Sequence, residues 1–245
     1  DVNTANQGTQ MDAFGHFAYT EEVWDGEAKI KNNEIKYFDG LTQDDVKPTQ
    51  NSPLLKLGIE NVPPIITSAL LLDVRKFANQ GKKYSAGEFI TRDDLEITLQ
   101  KSGLSKRGIL PGDVIMIYTG WSDHYKDPDT TKIYYSTAPG ISYDAAKYLA
   151  SKEVVAVGLD TCCVDARPDP NNPDSFKQPE GTPKNQSFPV HDYFLTKVGV
   201  HTLENLNLKK IANNGVYESC TMILPLKSKG SAGSPIRPVA IGKAS

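Results

Sequence analysis

The stretch LPGDVIMIYTGW, residues 110–121, decides how the fold is interpreted. It begins with Pro111 and Gly112, a pair that is typical of a turn. The run that follows, residues 114–118, is apolar and rich in β-branched side chains, and Gly120 ends it. An apolar run of this length between two turn signals indicates a strand that is buried on both faces. We therefore predict a central strand over residues 114–118.

The segments after this strand alternate between helix and strand signals. Ser142 is placed to cap a helix over about residues 143–151, and residues 154–159 return to an apolar, β-branched pattern. Two late segments, residues 216–224 and 238–241, have the same strand character. Helix and strand signals that alternate along a chain favour α/β layering.

The segments before the central strand fit the same pattern. Residues 65–74 are rich in Ile and Leu, which predicts a strand buried on both faces. Thr91 is followed three residues later by Asp94, a capping box that begins a short helix. We interpret residues 202–208 as a short connecting stretch. The sequence thus predicts one α/β domain over residues 1–245, with a mixed β-sheet or small barrel-like core flanked by helices.

Residues 168–189 are a long stretch without a core pattern. Six of the 16 prolines lie there, among Asp, Asn, Lys and Gln, and almost no residue is apolar. Long loops in compact domains are usually functional or disordered. We predict a Pro-rich surface loop or arm at residues 168–189; a domain boundary is the alternative interpretation.

Composition excludes several classes of partner. The 245 residues carry 27 Lys and Arg against 30 Asp and Glu, a net charge of −3, which does not suit a nucleic-acid-binding surface. The longest apolar stretch, residues 69–72, is far shorter than the ~20 residues that cross a bilayer. The three cysteines, including the adjacent Cys162 and Cys163, suggest no disulfide framework. We expect no nucleic-acid or membrane partner and a cytoplasmic location.

The densest group of side chains able to bind a metal lies in NQGTQMDAFGHF, residues 6–17. In a strand, Gln10 and Asp12 point to the same face because successive side chains alternate. Asp12 offers a hard oxygen ligand, Gln10 a carbonyl oxygen, and His16 an imidazole close to the same point. Spacing alone leaves open the alternative of a polar turn with a hydrogen-bonded Asp12.

This stretch resembles the signature H-x-G-T-H-x-D-x-P-x-H-F of the cyclase-type metal-dependent hydrolases, the family that includes bacterial kynurenine formamidase and isatin hydrolase. The matching positions are Gly8, Thr9, Asp12, His16 and Phe17. Later segments resemble the family's motifs in the same order: LPGDV at 110–114 with TGW at 119–121, VGLD at 157–160, PVH at 189–191, ENLNL at 204–208 and GSPIRP at 233–238. The resemblance implies the family's swivelling β/α/β fold, and we expect a chain shortened at its start.

Carried over residue by residue, the resemblance implies a divalent metal bound by Asp12, His191 and Glu204, with His16 as the acid/base residue. Gln10 and Asn6 stand where the family has two ligand histidines. The resemblance therefore implies Gln10 as a weak ligand and Asn6 as a hydrogen-bonding residue around the ligands. Because oxygen dominates this set, it favours a harder ion such as Mn²⁺ over Zn²⁺. We expect one divalent ion per chain, Mn²⁺ or Zn²⁺.

The resemblance also implies an activity: hydrolysis of an amide, lactam, lactone or ester bond in a small, cyclic or aromatic substrate by metal-activated water. Phe14, Phe17 and Trp121 would bind the substrate, although each could equally be a core residue. We also expect a homo-oligomer, a dimer or tetramer. Two alternatives use the same fold, namely a metal-free binding protein and a metal-dependent isomerase or dehydratase.

Several polar residues have a structural interpretation beside the functional one. His191 is alternatively a surface histidine, and Glu204 alternatively caps the stretch that starts at Thr202. His124 follows a predicted strand end, where active-site loops occur, and is equally interpreted as exposed. We interpret His201 as structural.

Overall fold

The computed structural model describes residues 8–21, 27, 29–126, 130–173 and 176–244, and one mixed β-sheet organises them. The strands are β1 (Gln10–Asp12), β2 (Ile65–Leu72), β3 (Phe89–Ile90), β4 (Val114–Ile117), β5 (Gly140–Ile141), β6 (Ala156–Leu159), β7 (His201–Glu204), β8 (Glu218–Ile223), β9 (Gly233–Pro235) and β10 (Val239–Ile241). The α-helices are α1 (Gln43–Val46), α2 (Val74–Phe77), α3 (Arg92–Lys101), α4 (Ile133–Ser136), α5 (Tyr143–Ala150), α6 (Pro189–His191) and α7 (Lys209–Asn213). Short 3-10 helices lie at Phe14–His16, Phe38–Gly40, Ile59–Asn61 and Trp121–His124, and a π-helical segment follows α6 at Asp192–Val198.

The sheet has eight strands in the order β10-β8-β2-β4-β6-β7-β1-β9 and curls into a half-barrel. Strands β2, β4, β6 and β7 run parallel, whereas β8, β10, β1 and β9 are antiparallel to their neighbours. Strands β3 and β5 form a separate parallel pair. The predicted mixed α/β fold is confirmed, and β4, buried at all four residues, is the central strand expected from residues 114–118.

Both predicted helix starts are present. The Thr91 side chain accepts a hydrogen bond from the Asp94 backbone, and the Asp94 carboxylate accepts one from the Thr91 backbone, so α3 begins with a complete capping box. Ser142 accepts a hydrogen bond from the Ala145 backbone at the start of α5. These caps satisfy N–H groups that have no partner within their own helix.

Strand β2 differs from its prediction in burial. Its pairing with β4 starts only at Ala69, so residues 65–68 extend beyond the parallel strands and pair with β8 alone. Ile66 is 63% exposed in consequence. The strand also ends at Leu72 instead of residue 74, because the Asp73 side chain caps α2.

The prediction for residues 202–208 is wrong, because the first part of this stretch is a buried strand. All four residues of β7 are buried between β6 and β1. Polar His201, Thr202 and Glu204 hide the apolar pattern by which a buried strand is recognised. Each of them makes a tertiary contact, and those contacts build the site described below.

The Pro-rich segment carries no α-helix or strand in its described residues 168–173 and 176–188, and the buried Pro189 begins α6. The described part of the chain contains no helix that is long and apolar enough to cross a membrane.

Candidate metal centre

Four elements bring the predicted ligand residues together. Strand β1 carries Gln10 and Asp12, and it pairs with β7 so that Gln10 lies opposite Glu204. Helix α6 ends at His191, and the 3-10 turn after β1 ends at His16. Because β1 and β7 are far apart in sequence, the site forms only when these two strands pair.

The distances within this group are short. His191 Nε2 lies 3.0 Å from Glu204 Oε1 and 3.7 Å from Asp12 Oδ2. Gln10 Nε2 donates a hydrogen bond of 2.9 Å to Glu204 Oε2. Ligand atoms of Asp12, His16 and His191 all lie within 4.8 Å of one another.

Two oxygen atoms of the group have no hydrogen-bond donor among the described residues. These atoms are Gln10 Oε1 and Glu204 Oε1, both fully buried. His191 Nε2 is near Glu204 Oε1 but is not aligned for a hydrogen bond. A buried acceptor without a donor costs about 1–3 kcal/mol. Because a cation would satisfy Glu204 Oε1 beside His191 Nε2 and Asp12 Oδ2, the residues present fit a divalent metal ion.

Burial gives the two carboxylates different pKa values. Burial, reinforced by the charge of Asp12, raises the pKa of Glu204 to about 7. Burial acts on Asp12 too, but the charges of His16 and His191 and a 2.6 Å hydrogen bond from Thr202 hold its pKa below the ordinary value. Asp12 is therefore the permanent negative charge of the site.

The imidazoles are also perturbed. Burial lowers the pKa of His16 below its ordinary value. Burial alone would also lower the pKa of His191, but the nearby carboxylates of Asp12 and Asp165 raise it well above the ordinary value. Burial raises the pKa of the Cys163 thiol to about 12, so this group, 4.0 Å from His191 Nδ1, is neutral.

Aromatic rings flank His191 on the open side of the site. The ring centre of Phe17 lies 5.6 Å from that of His191, and the ring centre of Phe188 lies 6.0 Å away. The two phenyl rings meet edge to face at 6.3 Å, and Phe188 is 39% exposed. Phe188 is not among the site residues predicted from the sequence, although its position next to the PVH motif is a usable signal.

The other predicted substrate-binding residues lie elsewhere. Phe14 stacks on His201 with ring centres 4.2 Å apart, and it also packs against Phe38. Trp121 is buried in a separate cluster with Tyr134 and Ala138, where its indole N–H donates to the Tyr134 carbonyl. Substrate contact by Phe14 and Trp121 stays a prediction.

The remaining polar candidates have the following environments. His191 is buried, so its interpretation as a surface histidine is wrong. His201 is buried, and its Nδ1 lies 2.8 Å from the carbonyl oxygen of Asp12, which agrees with a structural role. His124 packs against Trp121. Asn6 lies outside the described residues.

Comparisons with known proteins agree on one family. The family model described as "Putative cyclase" matches residues 2–166. The crystal structure of a novel cyclase shares 26% identity, with a TM-score of 0.74 over 97% of this chain and 69% of that one.

Two more distant structures show the same fold. Isatin hydrolase A from Ralstonia solanacearum shares 18% identity, with a TM-score of 0.61 over 98% of this chain and 73% of that one. A predicted metal-dependent hydrolase from Bacillus stearothermophilus shares 18% identity, with a TM-score of 0.51 over 96% of this chain and 77% of that one. No curated protein matches the chain.

Proposed function

The chain belongs to the cyclase family, whose model matches residues 2–166 of its 245, and we propose that it is a metal-dependent hydrolase. The proposed reaction is hydrolysis of an amide, lactam, lactone or ester bond in a small, cyclic or aromatic substrate. The observation that carries the proposal is the buried group of Asp12, His191 and Glu204, in which Glu204 Oε1 and the neighbouring Gln10 Oε1 have no donor within the described part of the chain. Carboxylate and amide oxygens beside an imidazole suit a divalent cation.

In this proposal Asp12, His191 and Glu204 hold one ion per chain, and Gln10 is adjacent as a weak ligand. The predominance of oxygen favours Mn²⁺, and Zn²⁺ is the other candidate. When bound, such an ion acts as a Lewis acid toward a carbonyl oxygen and lowers the pKa of water towards neutrality.

His16 is the proposed acid/base residue. Its ring centre lies 6.2 Å from that of His191 and 6.3 Å from that of Phe17. Because burial lowers the pKa of His16, the ring is neutral near pH 7 and can accept a proton from the attacking water. The same nitrogen can then deliver that proton to the leaving group of the substrate.

The substrate class follows from the rings beside His191. Phe17 and the half-exposed Phe188 present apolar faces next to the proposed reaction centre. A flat, cyclic or aromatic substrate would stack there, as aromatic pairs with ring centres 4.5–7 Å apart do. We also propose a homo-oligomer, a dimer or tetramer, which light scattering of the purified protein would test.

The experiment compares His16→Ala with Asp12→Ala. Metal content is measured by elemental analysis, and rates are measured on a panel of cyclic amides and lactones. H16A is expected to keep its metal and to lose about 10²–10⁴-fold in kcat, whereas D12A is expected to lose the metal. His124→Ala is the matched control, because it removes an imidazole that the structure places beside Trp121.

Each result has a defined consequence. A wild-type protein without metal or hydrolytic activity would contradict the proposed function. If H16A is purified without metal, His16 is a metal ligand and not the acid/base residue. It would then take the part of the ligand histidine that stands at the position of Gln10 in the family signature. Reaction in ¹⁸O-labelled water separates hydrolysis, which incorporates the label, from isomerisation.

A further inference from the structure

Asp165 contacts His191 on the side of the ring that faces away from Asp12 and Glu204. Asp165 Oδ2 lies 2.6 Å from His191 Nδ1, and both residues are buried. The opposite nitrogen, Nε2, is the one within 3.0 Å of Glu204 Oε1. The ring therefore stands between a carboxylate outside the ligand group and the carboxylates inside it.

The same carboxylate also holds the backbone of α6. Asp165 Oδ1 accepts a 2.8 Å hydrogen bond from the Val190 N–H, and Oδ2 accepts a 3.1 Å bond from the His191 N–H. Phe188, the residue at the N-cap position, provides no side-chain cap, and Pro189 has no N–H to offer. Asp165 thus caps a helix that lies more than twenty residues further along the chain.

These contacts determine which ring nitrogen keeps its proton when the ring is neutral, as it must be to bind a metal. Asp165 already accepts from the two backbone N–H groups of Val190 and His191, so its carboxylate is the acceptor in the 2.6 Å contact as well, and His191 Nδ1 is the protonated nitrogen. In the neutral ring the lone pair is then on Nε2, which points to Glu204 and Asp12. A metal-binding histidine typically donates its other N–H in this way, which fixes both the tautomer and the ring orientation.

We propose that Asp165 is the positioning residue of the metal centre, fixing the backbone and the ring of His191 so that Nε2 is the ligand atom. This assignment rests on the proposed function, since it needs a metal to be bound. The neutral thiol of Cys163 at 4.0 Å is a weak partner by comparison and does not replace the carboxylate.

The test is the metal affinity of Asp165→Asn. An asparagine has one acceptor oxygen instead of two, so its amide nitrogen faces either the Val190 N–H or the His191 N–H together with Nδ1, and the backbone or the ring of His191 is no longer held in place. Zn²⁺ and Mn²⁺ affinities are measured by competition with a chromogenic chelator on folded protein. We expect D165N to bind about 10–100-fold more weakly than wild type.

Asp192→Asn is the matched control. Asp192 follows His191, is buried, and accepts a 2.7 Å hydrogen bond from the Thr196 hydroxyl instead of contacting the ring. D192N therefore makes the same chemical change beside the same helix, and its affinity is expected to equal that of wild type. An equal loss in both variants would mean a general structural effect and would overturn the assignment.

A measurement on wild-type protein covers the case in which D165N does not fold. With ¹⁵N-labelled histidine and Zn²⁺ added, we expect the Nε2 resonance of His191 to shift and Nδ1 to remain protonated. A shift at Nδ1 would overturn the assignment, as would full affinity in D165N. If the wild-type protein binds neither ion, both the proposed metal site and the role assigned to Asp165 are contradicted. If the wild-type protein and D165N bind the ions equally well, only the role assigned to Asp165 is contradicted.

Discussion

At the scale of single residues, Asp160 organises the turn that follows β4. Its carboxylate is buried and accepts five hydrogen bonds, from the backbone and hydroxyl of Thr119, the backbone of Gly120, and the backbone and hydroxyl of Ser122. One acidic side chain at the end of β6 thus accepts hydrogen bonds from the N–H and hydroxyl groups that follow the neighbouring strand β4. These hydrogen bonds give Asp160 a structural role.

Asp160→Asn is expected to lower the free energy of unfolding by at least about 2–3 kcal/mol. The asparagine NH₂ group would face buried N–H groups, and each buried N–H group that loses its acceptor costs ~1–3 kcal/mol. Ser122→Ala removes one hydroxyl donor of the same group, so its expected cost is about 1 kcal/mol. Urea unfolding measures both. A D160N protein as stable as S122A would contradict this account.

At the scale of elements, a network of ion pairs and hydrogen bonds around Arg107 ties three neighbouring strands together. Arg107 donates to Asp113 at the start of β4, to Glu218 at the start of β8 and to Ser68 in β2. Burial opposes ionisation of Asp113, but hydrogen bonds from Arg107, Ser68 and the Leu110 backbone hold its pKa below the usual 3.8. The network therefore stabilises the fold as long as Asp113 is ionised.

This network predicts that the free energy of unfolding depends on pH in the acidic range. Because the folded-state pKa of Asp113 is below its unfolded value, the stabilisation is complete above about pH 4 and is lost as the pH falls through the folded-state pKa. Asp113→Asn should cost about 2–4 kcal/mol at pH 7, since Arg107 would lose its buried partner, and the difference from wild type should shrink towards pH 2. Urea unfolding at both pH values is the measurement, and the exposed Asp39→Asn is the control. A constant difference across this range would argue against the network.

The Pro-rich segment has a testable role as well, because it ends by placing Phe188 against His191 and Phe17. Phe188→Ala should raise KM for an aromatic substrate about fivefold, the equivalent of one aromatic contact of ~1 kcal/mol, with little change in kcat. Phe176→Ala is the matched control, since Phe176 belongs to the same segment but packs on Phe89. Equal kinetics for both variants would remove Phe188 from the substrate site.

At the scale of the whole molecule, the proposed metal joins segments that are distant in the sequence. Strand β1 pairs with β7 and β9, so Asp12 and Glu204 meet across 192 positions of sequence. A ligand that bridges such distant segments binds the folded chain and not the unfolded one. Metal binding and global stability are therefore linked.

Thermal unfolding tests this linkage. At a metal concentration of 100 times Kd, binding should add about 2.7 kcal/mol to the free energy of unfolding and raise the Tm of wild type. Asp12→Ala should show no such increase. Scanning calorimetry with and without Mn²⁺ or Zn²⁺ provides the measurement, and an equal Tm for loaded and chelated wild type would contradict a site between β1 and β7.

The sequence by itself determined the features that depend on neighbouring residues. The capping box at Thr91, the cap at Ser142 and the apolar run of β4 are local signals, and each is present as predicted. The order of motifs gave the family, and through it the candidates Asp12, His191 and Glu204. Local propensity and motif order can be read without knowing which segments meet.

Only the tertiary structure decided the rest. Strand β7 was missed because His201, Thr202 and Glu204 are polar, and they are buried only since Asp12, on another strand, provides partners for the first two. Asp165 and Phe188 acquire their roles through contacts with His191 that no spacing rule encodes. Burial, long-range hydrogen bonds and pKa shifts arise when distant segments pack together, and that packing converts a polar stretch of sequence into a candidate metal centre.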